Sequence, residues 1–347
     1  MKEHKSKLVY FAGIMLLFAV LVAPCLQPKA SAAEFELKFG ALNPEGLYMA
    51  KIAKAWMAKV EKETNGRVHF TAYWGGTLIT PPDAPDEVAR GVVDVGLFSA
   101  DYPKVGFDFV KSSGTFWYGI STAGQARLLP ELEKKYPQIE GEFAKYGKVL
   151  GIQSMSQMKL MTNKKPIRKL ADLKGLKIKA TPAYVPFLQE VGAEAVMMSM
   201  FDCYLALQKG MIDGVLAPLD TLVPLKFIEV IKYITDLDLT YAPQPGPMIS
   251  LKTWAKLPPD IQKVFENNVK FFNDECVKVT NEVNEEMMAA AKKAGIEFIK
   301  LPAQDDKKVD EILFKESQKK AAELDAKKYP GTAILQDLRK AAAAGGR

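Results

Sequence analysis

Groups able to do covalent or proton-transfer chemistry are scarce in this sequence. Two histidines occur in 347 residues, His4 and His69. His4 lies in an N-terminal stretch that reads as a removable leader, which leaves one imidazole. A single histidine supports neither a Ser–His–Asp relay nor a histidine-rich metal set, and His69 sits inside an apparent strand, RVHFTAYW, where a structural role is the expectation. Cys203 and Cys276 each fall on an apolar helical face, where a free thiol behaves as a small hydrophobe; a disulfide between them is the alternative. Gly75-Gly76 is followed by neither a Gly-x-Gly-x-x-Gly run nor a Walker lysine, so it is no phosphate loop. The paired methionines at 197–198 and 287–288 read as core. Catalytic residues, metals and cofactors are therefore not expected. What remains is binding chemistry: amide, hydroxyl, aromatic and ammonium groups at the ends of strands.

The elements that would position them begin after the leader. Lys2, Lys5 and Lys7 precede an apolar run over 8–23, and Ala30-Ser31-Ala32 gives a small-x-small cleavage pattern, so 1–32 is expected to be a signal peptide directing the chain to the periplasm. The run is short for a membrane anchor, and Pro24 stands where a lipid-attachment motif at Cys25 needs a small residue. Loss of 1–32 removes four lysines and one glutamate, lowering the net charge from +6 to +3. That is too weak to argue for nucleic acid.

Alternation predicts strands at EFELKFGAL, RVHFTAYW and VVDVGLFS, with an amphipathic helix from Met49 to about Asn65 between the first two. Strands separated by helices favour largely parallel sheets, which bind ligands at their carboxyl ends. On that ground Asn43, Tyr73, Trp74, Ser99, Asp101 and Tyr102, each following a strand, are candidates for ligand contact. RGVVDVGL (90–97) is echoed by KGMIDGVL (209–216): a helix stops at glycine and a strand follows with aspartate third. The echo predicts two lobes of similar strand–loop–helix–strand design, with Asp94 and Asp213 fixing backbone. A helix is expected around 123–147, and KVLGIQSMSQMKLMTN and 227–251 read as strands crossing between lobes. One helix of some 34 residues from Pro259 to Gly295, roughly 50 Å long, would brace both lobes. A charged, solvated helix is expected over 305–341, and a frayed tail over 342–347.

The motifs ETNGRVHFTAYWGGTL, ARGVVDVGLFS, TNKKPIRKLADLKGLKIKATP, YLALQKGMIDGVLAP and WAKLPPDIQKV occur in order along the mature chain. With the leader they resemble the periplasmic solute-binding subunits of tripartite ATP-independent (TRAP) transporters, the DctP-like family. The resemblance implies an α/β binding protein of two lobes about a cleft, with crossing hinge strands and a long helix spanning both. Lobe I would comprise 33–156 plus about 243–285, and lobe II 157–242 plus about 286–341. It implies capture of a small organic solute for a sodium-driven permease of a small and a large membrane subunit, by a receptor acting as a monomer. The binding subunit of another transporter type is the nearer alternative, and a secreted enzyme of similar architecture the more distant.

Departures from the family pattern bear on the cargo. The strand GLKIKA ends with Lys179 where relatives carry an arginine that binds the ligand carboxylate, and Lys159 matches a second basic position. Lysine pairs with a carboxylate as a point charge, without arginine's two-pronged geometry. The run after Asp213-Gly214 is apolar through Ala217, where relatives often place a polar group. Trp117 and Tyr184 add aromatic surface near the expected cleft. Together these imply a ligand with a carboxylate and an apolar or aromatic part, held by Lys179 and Lys159 among the candidates above.

Overall fold

The computed structural model describes residues 33–344. The leader assigned to 1–32 therefore lies outside the described residues, as do the last three of the tail.

The chain opens with β1 (Phe35–Ala41), the helix Tyr48–Glu63, β2 (Val68–Tyr73), the helix Ala84–Arg90 and β3 (Val95–Leu97). The helix Thr122–Lys135 leads to β4 (Gly147–Val149), β5 (Ile152–Gln153) and β6 (Gln157–Thr162). Then follow β7 (Lys177–Lys179), β8 (Glu194–Val196), the helix Cys203–Gln208, β9 (Gly214–Pro218), β10 (Tyr233–Thr240), β11 (Gln244–Pro245) and β12 (Met248–Ser250). The long helix Val269–Lys293, β13 (Glu297–Lys300) and the helices Ala303–Ala326 and Gly331–Ala343 complete the fold.

Two sheets define two lobes. The first has the order β2-β1-β3-β12-β4, with β1, β2 and β3 parallel. The second has the order β13-β10-β6-β9-β7-β8, with β7 parallel to both β8 and β9. Where the chain passes from one sheet to the other and back, β5 and β11 pair antiparallel.

The repeated aspartate does the same job in each lobe. Asp94 Oδ2 accepts the Lys38 N–H at 2.9 Å, and Asp213 Oδ2 accepts the Lys177 N–H at 2.9 Å. In return the backbone N–H of Asp94 donates to Lys38 O and that of Asp213 to Lys177 O. Each aspartate thus clamps the neighbouring parallel strand just before its own strand begins. The glycines ahead of them, Gly91 and Gly210, have φ of 82° and 70°, left-handed values that end the preceding helix.

The long helix ties the lobes together through its apolar stripe. Phe272, Cys276 and Val279 enter the first-lobe core with Trp56, Phe265 and Ile249. Met287 and Ala291 enter the second-lobe core with Met161, Val215 and Ile234. Val283, between them, packs against both. The expected 34-residue helix is in fact two. Asn268 interrupts it, its Nδ2 donating to Glu63 Oε2 at 2.6 Å and to the Val264 carbonyl at 2.9 Å. A side-chain amide that bonds backbone locally competes with helix continuation. The 25-residue remainder spans about 37 Å at 1.5 Å per residue.

Two further stretches differ from expectation. The helix expected around 123–147 stops at Lys135, and only a short turn precedes β4. The stretch 305–341 is two helices, and it is more than a solvated face. Val309 and Leu313 pack under the second sheet, whereas Ala321, Leu324, Ile334, Leu335 and Leu338 join the first-lobe core. The C-terminal segment, expected with lobe II, divides its packing between the lobes. Both cysteines are buried free thiols in different cores.

Candidate functional site

The second sheet brings the two candidate lysines onto one face. Lys159 on β6 lies opposite Ala217 on β9, and Lys179 on β7 lies beside Val215, two residues earlier on the same β9. Neighbours in register point the same way, so both lysines share the face of Val215 and Ala217. Two strand spacings across and two residues along put their Cα atoms about 12 Å apart.

Their surroundings differ. Lys159 pairs with Asp236 at 2.7 Å, its register partner on β10, and its side chain remains 16% exposed. Lys179 is only 6% exposed, and among the described residues no carboxylate pairs with it. Its hydrogen-bond partner is the Met200 sulfur at 4.0 Å. Desolvation lowers its pKa, opposed by the nearby Cys203. A buried ammonium on a thioether is under-solvated and will gain from any anion that reaches it. Met200 was absent from sequence expectations, and nothing in its spacing marked it. The neighbouring Met197-Met198 pair, read as core, is exposed at Met197 and half-buried at Met198, and Met288 is likewise exposed.

The first-lobe candidates cluster as strand order requires. Asn43 follows β1, and its carbonyl accepts the Gly75 N–H at 3.0 Å, joining it to the turn after Tyr73 and Trp74. Tyr73 and Trp74 are half-buried, Trp74 packing on Phe39 with ring centroids 5.7 Å apart. After β3, Tyr102 is 59% exposed, while Asp101 is engaged. Its Oδ2 accepts from the Tyr241 hydroxyl, from Ser99 Oγ at 3.2 Å and from Gln244 Nε2 at 3.3 Å. Crowding by these neighbours desolvates the carboxyl and raises its pKa despite their hydrogen bonds. Tyr241 and Gln244 come from the returning hinge segment. This network, which no local motif signalled, ties the end of β3 to the hinge.

Two aromatic candidates lie inside. Trp117 is fully buried in the first-lobe core, with Nε1 3.4 Å from Ser113 Oγ. Tyr184 is 1% exposed, its hydroxyl donating to the Thr240 carbonyl. Neither presents an open surface: Trp117 belongs to the core of Phe98, Phe116 and Ile120, and Tyr184 to that of Leu160, Ile178 and Leu216. His69 is exposed on β2, with Nδ1 3.0 Å from Glu61 Oε1.

Two sheets joined by a hinge and a spanning helix make a two-lobed α/β architecture, with a buried cation, unpaired with any carboxylate among the described residues, at the end of a strand in the second lobe. The family model described as bacterial extracellular solute-binding protein, family 7 (DctP), matches residues 39–323, and the chain belongs to that family. The C4-dicarboxylate-binding periplasmic protein DctP of Rhodobacter capsulatus is 25% identical over 316 residues, 86% of this chain and 90% of that one. A TRAP periplasmic solute-binding protein from Desulfovibrio salexigens, solved as an open complex, superimposes with a TM-score of 0.80 at 27% identity, covering 90% of this chain and 97% of that one. One from Rhodoferax ferrireducens, solved with copurified benzoate, gives a TM-score of 0.77 at 24% identity, covering 89% and 98%. The protein is thus a DctP-like receptor of the TRAP type, and proteins of this type take small organic ligands and work with membrane permeases.

Proposed function

We propose that this receptor binds an organic anion with an apolar or aromatic part and hands it to a sodium-coupled permease of a small and a large subunit. The observation that carries this reading is Lys179: a cation buried at the carboxyl edge of lobe II, with no counter-charge among the described residues. A ligand carboxylate would supply that charge in a desolvated setting, where the pair is far stronger than in water. Lys159, already paired with Asp236, reinforces the positive potential of the same face without taking the ligand directly.

Apolar surface at the same strand ends supports the second half of the proposal. Met197 and Phe201 follow β8 and are 58% and 67% exposed, and Tyr102 stands exposed after β3 in the other lobe. Large apolar side chains held in solvent at a binding edge gain free energy when a ligand covers them, about 25 cal/mol per Å². Tyr73, Trp74, Asn43 and Ser99 complete the first-lobe wall, while Asp101 holds the hinge, and Trp117 and Tyr184 stay in the cores of the first and second lobes. Lobe closure about the β5/β11 crossing then encloses the solute. A signal peptide over 1–32 would direct this work to the periplasm.

Isothermal titration calorimetry on the mature chain tests this. Benzoate and its ring-substituted relatives should bind with dissociation constants in the micromolar range or below, and succinate and malate at least tenfold more weakly. Tight succinate binding with no response to aromatic acids would overturn the proposal.

A further inference from the structure

Lys179 has a feature that ligand capture by itself does not use: the sulfur that it faces. β8 ends at Val196, and Met197, Met198 and Met200 follow directly. They stand differently. Met197 is exposed, whereas Met198 and Met200 are half-buried and pack on the second-lobe core. Met200 is thus held in place yet reachable from solvent. Its Sδ lies 4.0 Å from Lys179 Nζ. A nitrogen donor and an oxygen acceptor meet at about 2.9 Å, so this separation leaves room for one oxygen atom carried by the sulfur. A thioether is a weak acceptor, and oxidation to the sulfoxide makes the same side chain polar. Ser199 fixes the geometry locally, its hydroxyl accepting the Phe201 N–H at 3.3 Å to cap the turn Met200–Asp202. The titratable group acting on the ammonium among the described residues is the Cys203 thiol. Burial raises the thiol's pKa, so it stays neutral and leaves the ammonium uncompensated. Lys159, on the same face about 12 Å away, is paired with Asp236.

We propose that Met200 is an oxidative modification site that regulates this receptor: its sulfoxide gives the Lys179 ammonium an internal acceptor and lowers the affinity for a ligand carboxylate. The proposal deepens the function given above and rests on it for the effect on affinity. The oxidant is a peroxide. The sulfur lone pair attacks one oxygen of hydrogen peroxide, the O–O bond breaks, and the departing hydroxide takes the proton left on the transferred oxygen and leaves as water. Sulfur loses two electrons and the peroxide gains them. The new oxygen then stands where a carboxylate oxygen would approach, and the ligand must displace it to reach the cation.

The mature chain and Met200→Leu, a swap of similar volume, are each compared with themselves before and after hydrogen peroxide treatment. Peptide mass mapping reads oxidation at every methionine, with exposed Met197 as the internal reference, and separates it from any oxidation of Cys203. Calorimetry with benzoate should show about a tenfold loss of affinity on oxidation of the native chain, the scale of a charge-assisted hydrogen bond. Oxidised Met200→Leu should lose less than about twofold, and methionine sulfoxide reductases should restore the native chain. A second readout needs no ligand: the pH midpoint for acetylation of Lys179 by acetic anhydride, which attacks only the free amine. The sulfoxide oxygen favours the ammonium, so the midpoint should rise on oxidation of the native chain and stay in place in Met200→Leu. The inference is overturned if Met200 remains reduced when Met197 is fully oxidised, if the acetylation midpoint does not move, or if benzoate affinity survives oxidation of Met200. Absence of benzoate binding to the unoxidised receptor would instead count against the function proposed above, and the acetylation midpoint would then decide alone whether Met200 controls Lys179.

Discussion

At the end of β3 in lobe I, Asp101 receives hydrogen bonds from Tyr241, Ser99 and Gln244, whereas at the end of β7 in lobe II the hydrogen-bond partner of Lys179 among the described residues is a thioether. Asp101 follows β3, the strand that Asp94 introduces, whereas Lys179 ends β7, the strand that Asp213 clamps. The two strand ends differ in what they leave unsatisfied. A saturated charge holds the hinge in place; an unsaturated one is available for a ligand. Charged groups at strand ends can therefore be sorted into structural and binding roles by their partners, where sequence position alone treats them alike.

The largest effect that could break this contrast is on ligand affinity. Lys179→Ala should weaken binding of an aromatic carboxylate at least thirtyfold, about 2 kcal/mol, as expected for a charge-assisted contact. Asp101→Asn, which keeps the shape of a hinge residue, should cost threefold or less by the same calorimetry. Equal losses would erase the distinction. The pH dependence sharpens it: burial lowers the Lys179 pKa, so the ammonium deprotonates earlier than an ordinary lysine. Carboxylate affinity should accordingly decline between pH 7 and 10, and Lys179→Arg should remove that decline.

A smaller effect concerns stability. The Asp220 carboxyl is raised in the folded chain to about 6, above its unfolded value, so the native state holds the extra proton between about pH 4 and 6. Stability from this group therefore falls as pH rises through that window, and its penalty is complete above it. Asp220→Asn should raise the unfolding free energy by about 2 kcal/mol at pH 7.5 and by almost nothing at pH 4, measured by urea denaturation. The smallest effect tests the shared part of the two lobes. Asp94→Ala and Asp213→Ala should each destabilise by about 1.5 kcal/mol, from losing an acceptor for a strand N–H. A large inequality between them would show that the repeated clamp is equivalent in geometry only.

Much of the fold was legible because periodicity and punctuation are local. The alternation in EFELKFGAL gave β1 to within a residue or two, and the glycine–strand–aspartate echo marked both clamps before either strand partner was known. What local pattern could not show was where packing overrides it. Nothing in the long apolar stripe after Pro259 announces the break at Asn268, since the break depends on Glu63, 205 residues away. The site was legible in part for the same reason. Strand ends point to Lys179, Asn43 and Ser99 as candidates, but a side chain's partners come from across the sheet. Hence Trp117 and Tyr184, aromatic and well placed in sequence, lie beneath the surface, while Met200 and Tyr241 carried no signal.

The long helix has a mechanical consequence. Its residues up to Val279 are embedded in one lobe and those from Met287 onward in the other, so it is a rod clamped at both ends. Rotation of one lobe against the other cannot be taken up by sliding at either clamp without opening a packed core. It must bend the two turns between, with Val283, which touches both cores, as the fulcrum. Those few residues then set the stiffness of the whole receptor, and a substitution there would alter how often it closes without touching anything it binds.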